Sequence, residues 1–392
     1  MTAGVSGFRF SGIAAGIKRN GRRDLALVVA EKPAVAAGIF TRDLVRAAPV
    51  VVAEQRVRFG TASAVLVNSG TANACTGEAG MQATLDTTAA IAKALELRVE
   101  HVLPASTGVI GLVLPADKVI RTTGELVSSL SPDGVDAFAE AILTTDRFPK
   151  VAHAEIEGGA TILGIAKGAG MIHPDVGVAA PHATMLVFLF TDAVIGRDAL
   201  EEALVQAADA TFNCVSVDGD TSTNDTVIAL ASGASEVSVT AEALVGPMTQ
   251  VCDELARAMV KDGEGASHVA EIRVSGLTTD GDAHQIAKTV ATSVLVKTAM
   301  FGQDANWGRI LAAAGRAGVH FDPARACISV GNVEIVHDGL SVGAEAEQRA
   351  GKIMGGESYT IDVVLGDGPG KARYLTSDLG HAYVDVNAGY RS

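Results

Sequence analysis

The 392-residue sequence predicts a mixed α/β protein (α+β in arrangement) built from two intimately packed lobes. Three observations carry that prediction. Short apolar runs bounded by Gly, Pro or Asn alternate with segments of helical period along the whole chain. Hydrophobic residues make up 48% and charged residues 19%, so burial can offset the entropy of ordering. The 43 glycines far outnumber the 11 Phe, 4 Tyr and single Trp, which implies a core of Ala, Val, Ile and Leu in which glycine lets backbones approach. No Pro/Ser-rich linker and no 20–50-residue repeat interrupts the pattern. The lobes are expected to divide near 270–280, giving 1–275 and a smaller 276–392.

The elements follow in order. Segments 25–29, 34–40 and 50–53 are short apolar runs near Gly, Arg and Pro and read as buried strands. Another strand, 64–67, ends in the turn-like Asn68-Ser69-Gly70, and an Ala-rich helix is expected over 81–97. Val102-Leu103 leads into Pro104-Ala105-Ser106-Thr107-Gly108, a strand ending in a glycine turn. Helices follow near 116–126 and 135–143. Strands return over 152–166, then give way to the loop Lys167-Gly168-Ala169-Gly170 and further loop sequence through 174–182. Segment 184–191 (TMLVFLFT) is the most apolar strand in the chain. Asp198 is an expected N-cap for a helix to Thr211, and a longer helix over 241–261 buries a Leu244, Met248, Val251, Cys252, Leu255, Met259 stripe. A strand at 272–274 and helices over 283–296 and 306–316 precede a strand-rich tail at 327–330, 333–337, 359–365, 373–377 and 382–386.

The net charge of −14, with no basic cluster longer than Arg22-Arg23, argues against nucleic acid and against anionic membranes. It leaves an acidic small molecule open, because a local field can oppose the net charge. Cys75, Cys214, Cys252 and Cys327 are far apart, without a C-x-x-C pair, and read as buried free thiols of a reducing compartment. Arg9, Lys18 and Arg19 precede any long apolar run, so no secretory signal is expected. The uncharged stretch 176–191 contains Pro181, His182 and Thr184 and makes a poor membrane span. The expected setting is cytoplasmic. The nine histidines are scattered without metal-ligand spacing, so no metal is expected. Segment 218–223 (DGDTST) lacks the glycine and glutamate of a calcium loop. Segment 366–371 (GDGPGK) has the wrong spacing for a phosphate loop and reads as a hairpin turn.

One segment carries chemistry: 164–192 (GIAKGAGMIHPDVGVAAPHATMLVFLFTD). Thr184 stands where a flexible loop enters a very apolar strand. A threonine hydroxyl is a weak nucleophile without a base beside it. Cleaving the bond before the threonine supplies one, since its own α-amine then titrates at roughly 7.7–8.0, close to working pH.

Nine segments, in this order, resemble the ornithine acetyltransferase family of arginine biosynthesis. They are 68–77 (NSGTANACTG), 105–111 (ASTGVIG), 144–146 (TTD), 167–174 (KGAGMIHP), 183–186 (ATML), 220–226 (DTSTNDT), 262–266 (DGEGA), 297–310 (KTAMFGQDANWGRI) and 387–392 (NAGYRS). The resemblance implies a layered helix–sheet–sheet–helix core and a precursor that cuts itself between Ala183 and Thr184. The products are an α chain, 1–183, and a β chain, 184–392, assembled as two of each. It further implies that Thr184 takes acetyl from N-acetylornithine and passes it to glutamate by a ping-pong cycle, with acetyl-CoA an alternative donor in some members and no resident cofactor. Thr107 and Gly108 match the oxyanion-hole positions. Thr145, Lys167, Thr184, Glu264, Asn387 and Ser392 match substrate contacts. Lys167 and Thr145 suit an α-carboxylate, and Glu264 suits an amine of ornithine.

The chain departs from the family pattern in four places. Eight residues, 175–182, separate Pro174 from Ala183, an insertion of six just before the scissile bond. Thr71 replaces Asn, Ala305 replaces Pro, and Ser392 replaces Thr with its hydroxyl retained. Two other readings of the same chemistry are an amidase or aminopeptidase, with water replacing glutamate, and an unprocessed inactive relic.

Overall fold

A computed structural model describes residues 4–174, 176 and 185–389. The chain forms two compact units, each with its own mixed sheet. One unit holds the chain up to Asn213 together with Asp220–Met259. The other holds Cys214–Gly219 and the described residues from Val260 to Gly389. The exchange at Met259/Val260 lies upstream of the expected 275/276 boundary. The strand Val269–Gly276 explains the difference, because both its neighbours, Ser358–Val364 and Gly368–Ser377, belong to the second sheet.

The first unit is built on an eight-stranded sheet. Its order is Val102–Val109, Thr61–Thr71, Leu25–Phe40, Thr226–Ala231, Leu186–Thr191, Thr161–Lys167 and Lys150–Glu155, with Phe8–Ile13 also paired to Leu25–Phe40. The strands are apolar on both sides because the sheet is covered on both faces. Ala26, Val28, Val65 and Val67 enter one core cluster; Leu25, Leu27, Ala64 and Leu66 enter the other. That is the period-two alternation of a strand between two layers. Five phenylalanines gather in one of these layers. Phe8, Phe10, Phe138, Phe188 and Phe190 pack with ring centroids 5.2–6.0 Å apart. Each such ring fully buried contributes about 1.5–3 kcal/mol. On the opposite face the helix Ala241–Lys261 crosses Gly164, where a Cβ would lie 2.4 Å from Val251 Cγ1 and 2.7 Å from Leu255 Cδ1.

The second unit has a seven-stranded sheet of order Leu340–Ser341, Val333–His337, Cys327–Val330, Ser358–Val364, Val269–Gly276, Gly368–Ser377 and Val215–Ser216. Ile272, Val274, Ile361, Val363 and Tyr374 share one core with Ala283, Ile286 and Val290 of the helix Asp280–Ala291.

Several local expectations need correction. Segments 25–29 and 34–40 are one strand, Leu25–Phe40, with a register shift between Val29 and Ala34. Segment 50–53 lies within the helix Ala48–Val57, which starts with Pro49 at a position that needs no backbone donor. Gly196, not Asp198, caps Arg197–Ala210, and Asp198 instead sits in its first turn. The helix expected at 283–296 is two helices, Asp280–Ala291 and Val294–Phe301. Segment 382–386 is helical, within His381–Gly389. Segment 366–371 makes no hairpin, because the strands it joins flank Val269–Gly276 on opposite sides rather than pairing with each other. All four cysteines are free, but only Cys252 is buried; Cys75 is exposed and Cys214 and Cys327 are half-buried. Among the described residues no helix is long and apolar enough to cross a membrane.

Candidate active site

The site assembles where three strands of the first sheet end. Val102–Val109 runs parallel to Thr61–Thr71, with Thr107 opposite Ser69 and Gly108 opposite Gly70. Gly108 has φ +131, and a Cβ there would lie 2.5 Å from the carbonyl carbon of Gly70. Only glycine allows both that dihedral and that approach. Thr107 is fully buried beside it.

The residue before Thr107 is held from two sides. Ser106 Oγ donates to Asn68 Oδ1 at 2.5 Å, and its carbonyl accepts from Asn224 Nδ2 at 2.8 Å. Asn224 Nδ2 also donates to the Ala72 carbonyl at 2.6 Å. Thr71, the departure from the family pattern, donates through Oγ1 to the Leu112 carbonyl at 2.6 Å, and so braces the turn that follows Val109.

Lys167 ends the strand Thr161–Lys167 and is 2% exposed. Its Nζ lies 3.4 Å from Thr107 Oγ1 and 3.7 Å from Asp146 Oδ2. Asp146 is the hub of this cluster. It accepts from Lys150 Nζ at 2.8 Å, from the Gly168 amide at 2.7 Å and from the Thr144 amide at 3.0 Å. Burial alone would raise its carboxyl. The Lys167 and Lys150 ammonium groups and these hydrogen bonds overcome burial and hold it well below the usual carboxylate range. Two buried ammonium groups, Lys150 and Lys167, therefore converge on one carboxylate. Thr145 is half-buried in the same turn, one residue before Asp146.

Across the antiparallel pair, Lys167 faces Leu186, and Leu186 in turn faces Thr226 of the parallel strand. The strand that follows Thr184 in sequence thus begins beside Lys167. Ala183, Thr184 and Ser392 lie outside the described residues. So do seven of the eight residues between Pro174 and Ala183; the exception, Val176, exchanges two hydrogen bonds with the Asn213 side chain at 2.7 and 2.9 Å. In the second unit Asn387 Nδ2 donates to Glu264 Oε2 at 2.9 Å, so these two predicted contacts come together.

Three features escaped the sequence reading. Asp146 and Asp225 stand inside quoted motifs, yet nothing in their spacing announces a buried carboxylate. Lys150, fully buried at the start of an otherwise ordinary strand, gave no signal at all.

A model of the ArgJ family matches residues 9–392. The chain belongs to the ArgJ family. Two curated relatives, both described as arginine biosynthesis bifunctional protein ArgJ, align end to end. The protein of Desulfotalea psychrophila is 47% identical over 99% of this chain and 100% of its own length. That of Syntrophotalea carbinolica is 45% identical over 99% of both. The crystal structure of ArgJ from Bacillus halodurans is 36% identical, with a TM-score of 0.50, over 52% of this chain and 98% of that one. The chain is accordingly a bifunctional ornithine acetyltransferase of arginine biosynthesis, a glutamate N-acetyltransferase and amino-acid acetyltransferase.

Proposed function

We propose that this ArgJ protein performs acetyl transfer through a threonine nucleophile that it creates by cutting its own chain between Ala183 and Thr184. The observation that supports this most is the meeting of Lys167, Thr107 and Asp146 beside the start of the strand that follows Thr184. In the cycle, Thr184 Oγ attacks the acetyl carbonyl carbon of N-acetylornithine while the Thr184 α-amine takes the hydroxyl proton. The oxyanion forms against Thr107 and Gly108, where a single donor is typically worth about 2.7–4 kcal/mol. The C–N bond then breaks, the proton passes to the leaving amine, and ornithine departs from an acetyl ester on Thr184. The amine of glutamate attacks that ester and leaves as N-acetylglutamate, which restores the free hydroxyl.

Ornithine and glutamate share an α-carboxylate, which suits Lys167 and the Thr145 hydroxyl. Glu264, with Asn387 and Ser392, answers the side-chain amine of ornithine. The same reading places the mature protein in the cytoplasm as two α chains, 1–183, and two β chains, 184–392. Acetyl-CoA serves as the donor in the second of the two activities, with no resident cofactor.

The test is intact-mass analysis of the purified protein and of Thr184→Ala. The wild type should give two fragments that meet at Thr184, and the variant one chain of 39.9 kDa. A cut before residue 184 that persists in the variant would show that another group performs the cleavage.

A further inference from the structure

Near one edge of the second sheet, a pair of strands gathers three metal-ligating side chains on its outer face. Cys327–Val330 and Val333–His337 run antiparallel, with Ile328 opposite Val336 and Ser329 opposite Glu334. Ile335 is therefore the extra residue of a bulge between those two pairs. On a regular strand, residues three apart point to opposite faces. The bulge cancels that rule: Ile335 and Val336 both enter the core, while Glu334 and His337 both face away from it. One step beyond the Ile328–Val336 pair, Cys327 stands against His337 on the same outer face, half-buried next to the buried Ile328.

Cys327 Sγ, a Glu334 carboxylate oxygen and a His337 ring nitrogen all lie within 4.8 Å of one another. His337 Nδ1 and Glu334 Oε1 are 3.0 Å apart. Around a tetrahedral Zn²⁺ with bonds of about 2.0–2.3 Å, neighbouring donor atoms sit roughly 3.3–3.6 Å apart. Small side-chain rotations bring donors already this close onto one ion, with the fourth position left for water.

The histidine is also held from its other side. Asp338 and Gly339, at φ +47 and +73, make the tight turn into Leu340–Ser341. The Gly339 amide donates to the Ala326 carbonyl at 2.8 Å, which ties this turn to the residue before Cys327. The turn sets Asp338 Oδ2 3.7 Å from His337 Nε2. A metal-bound histidine commonly gives one ring nitrogen to the ion and turns the other toward a carboxylate. Here Nδ1 faces Glu334 and Nε2 faces Asp338. A thiolate with an imidazole and a carboxylate suits zinc, whereas magnesium and calcium take oxygen ligands. Histidine spacing gave no reason to expect a metal, because the bulge assembles this set across two strands.

We propose that Cys327, Glu334 and His337 form a Zn²⁺ site, with water as the fourth ligand and Asp338 orienting the imidazole. On binding, Cys327 releases its proton to solvent and ligates as the thiolate, and neutral His337 ligates through Nδ1. The ion clips the two strands together. No step of acetyl transfer runs through it, and the site is independent of the Thr184 reading.

The test is zinc titration of the full-length protein, stripped by chelator and kept reduced, in competition with a chromogenic zinc indicator. Mildly alkaline buffer is used because protons compete with the metal for these ligands. One Zn²⁺ per chain should bind with a micromolar or tighter Kd. Cys327→Ser and His337→Ala should each weaken binding at least about tenfold, the least expected when even a group that only supports a ligand is lost. Cys75→Ser removes the exposed cysteine of the first unit and should bind as wild type. Co²⁺ in place of zinc should give a thiolate charge-transfer band that Cys327→Ser abolishes. A Kd no tighter than millimolar, a smaller loss in either ligand variant, or a cobalt band that survives Cys327→Ser would overturn the assignment and leave an adventitious ion only. All three side chains are half-buried or exposed, so the variants should unfold cooperatively like wild type. Should one of them not fold, anomalous diffraction at the zinc edge from wild-type crystals decides. A peak about 2.0–2.3 Å from all three donors upholds the site, and a peak elsewhere or none overturns it.

Discussion

Asp146 shows how a single buried carboxylate can organise a site. Its contacts with Lys150, Lys167, Gly168 and Thr144 tie together the turn that holds Thr145 and the strand end that holds Lys167. Its carboxyl is held below its ordinary value of 3.8, so the stability it contributes is fully present above that pH. It is lost as acid carries the pH down through the lower folded-state value. Asp146→Asn removes the carboxylate on which Lys150 and Lys167 converge and should cost about 3–5 kcal/mol at neutral pH. Urea titrations of wild type and variant should show that gap holding at pH 5–7 and closing below about pH 4. A gap independent of pH would mean that the loss comes from packing rather than charge. Of this cluster, Lys167 and Thr107 were singled out through the family resemblance. Asp146 and Lys150 were not, because burial of a charge depends on neighbours far away in sequence.

At the scale of the element, strand ends rather than strand interiors carry the chemistry. Gly108 and Gly70 let two parallel strands close to a distance that no side chain permits. Gly108→Ala forces a Cβ to 2.5 Å from the Gly70 carbonyl carbon at φ +131. The backbone strain alone should cost about 1–3 kcal/mol. The displaced turn should lower kcat by roughly 10²–10³-fold, the range found when an oxyanion donor is lost. Thermal unfolding and initial rates on the cleaved enzyme measure the two effects separately; a full kcat in the variant would remove Gly108 from the oxyanion site.

Apolar runs mark Val102–Val109, Leu186–Thr191 and the middle of Thr61–Thr71, but Asn68-Ser69-Gly70, expected as a turn, continues that strand, and Phe8–Ile13 and Thr226–Ala231 were missed. The errors have physical causes. Segment 50–53 is rich in β-branched residues, yet Pro49 and the burial of Val50, Ala53 and Val57 along one side favour a helix. Segment 366–371 has turn chemistry, but turn chemistry does not say whether its two flanking strands pair. Here another strand stands between them, and Gly276, Gly366 and Gly368 make room for the crossing.

For the whole molecule, membership of the ArgJ family and a match over residues 9–392 turn the expected α/β architecture into two mixed sheets, one per unit. The glycine surplus and the scarcity of aromatics now have distinct meanings. Glycine permits close packing at Gly108 and Gly164, while five phenylalanines gather in one layer of the first unit. The net charge of −14 argues against nucleic acid as a partner on general grounds but could not reveal that two buried lysines meet at Asp146. The unit boundary was the least legible feature, because the helix Ala241–Lys261 runs through it without a linker.

The central claim is that Thr184 carries the acetyl group between donor and acceptor. The most direct measurement is the intact mass of the β chain after the enzyme has been mixed with N-acetylornithine in the absence of glutamate. The β chain should gain one acetyl group, mapped by fragmentation to Thr184, and lose it when glutamate is added. A β chain that stays unmodified while the enzyme turns over both substrates, or an acetyl group found on any other residue, would contradict the account.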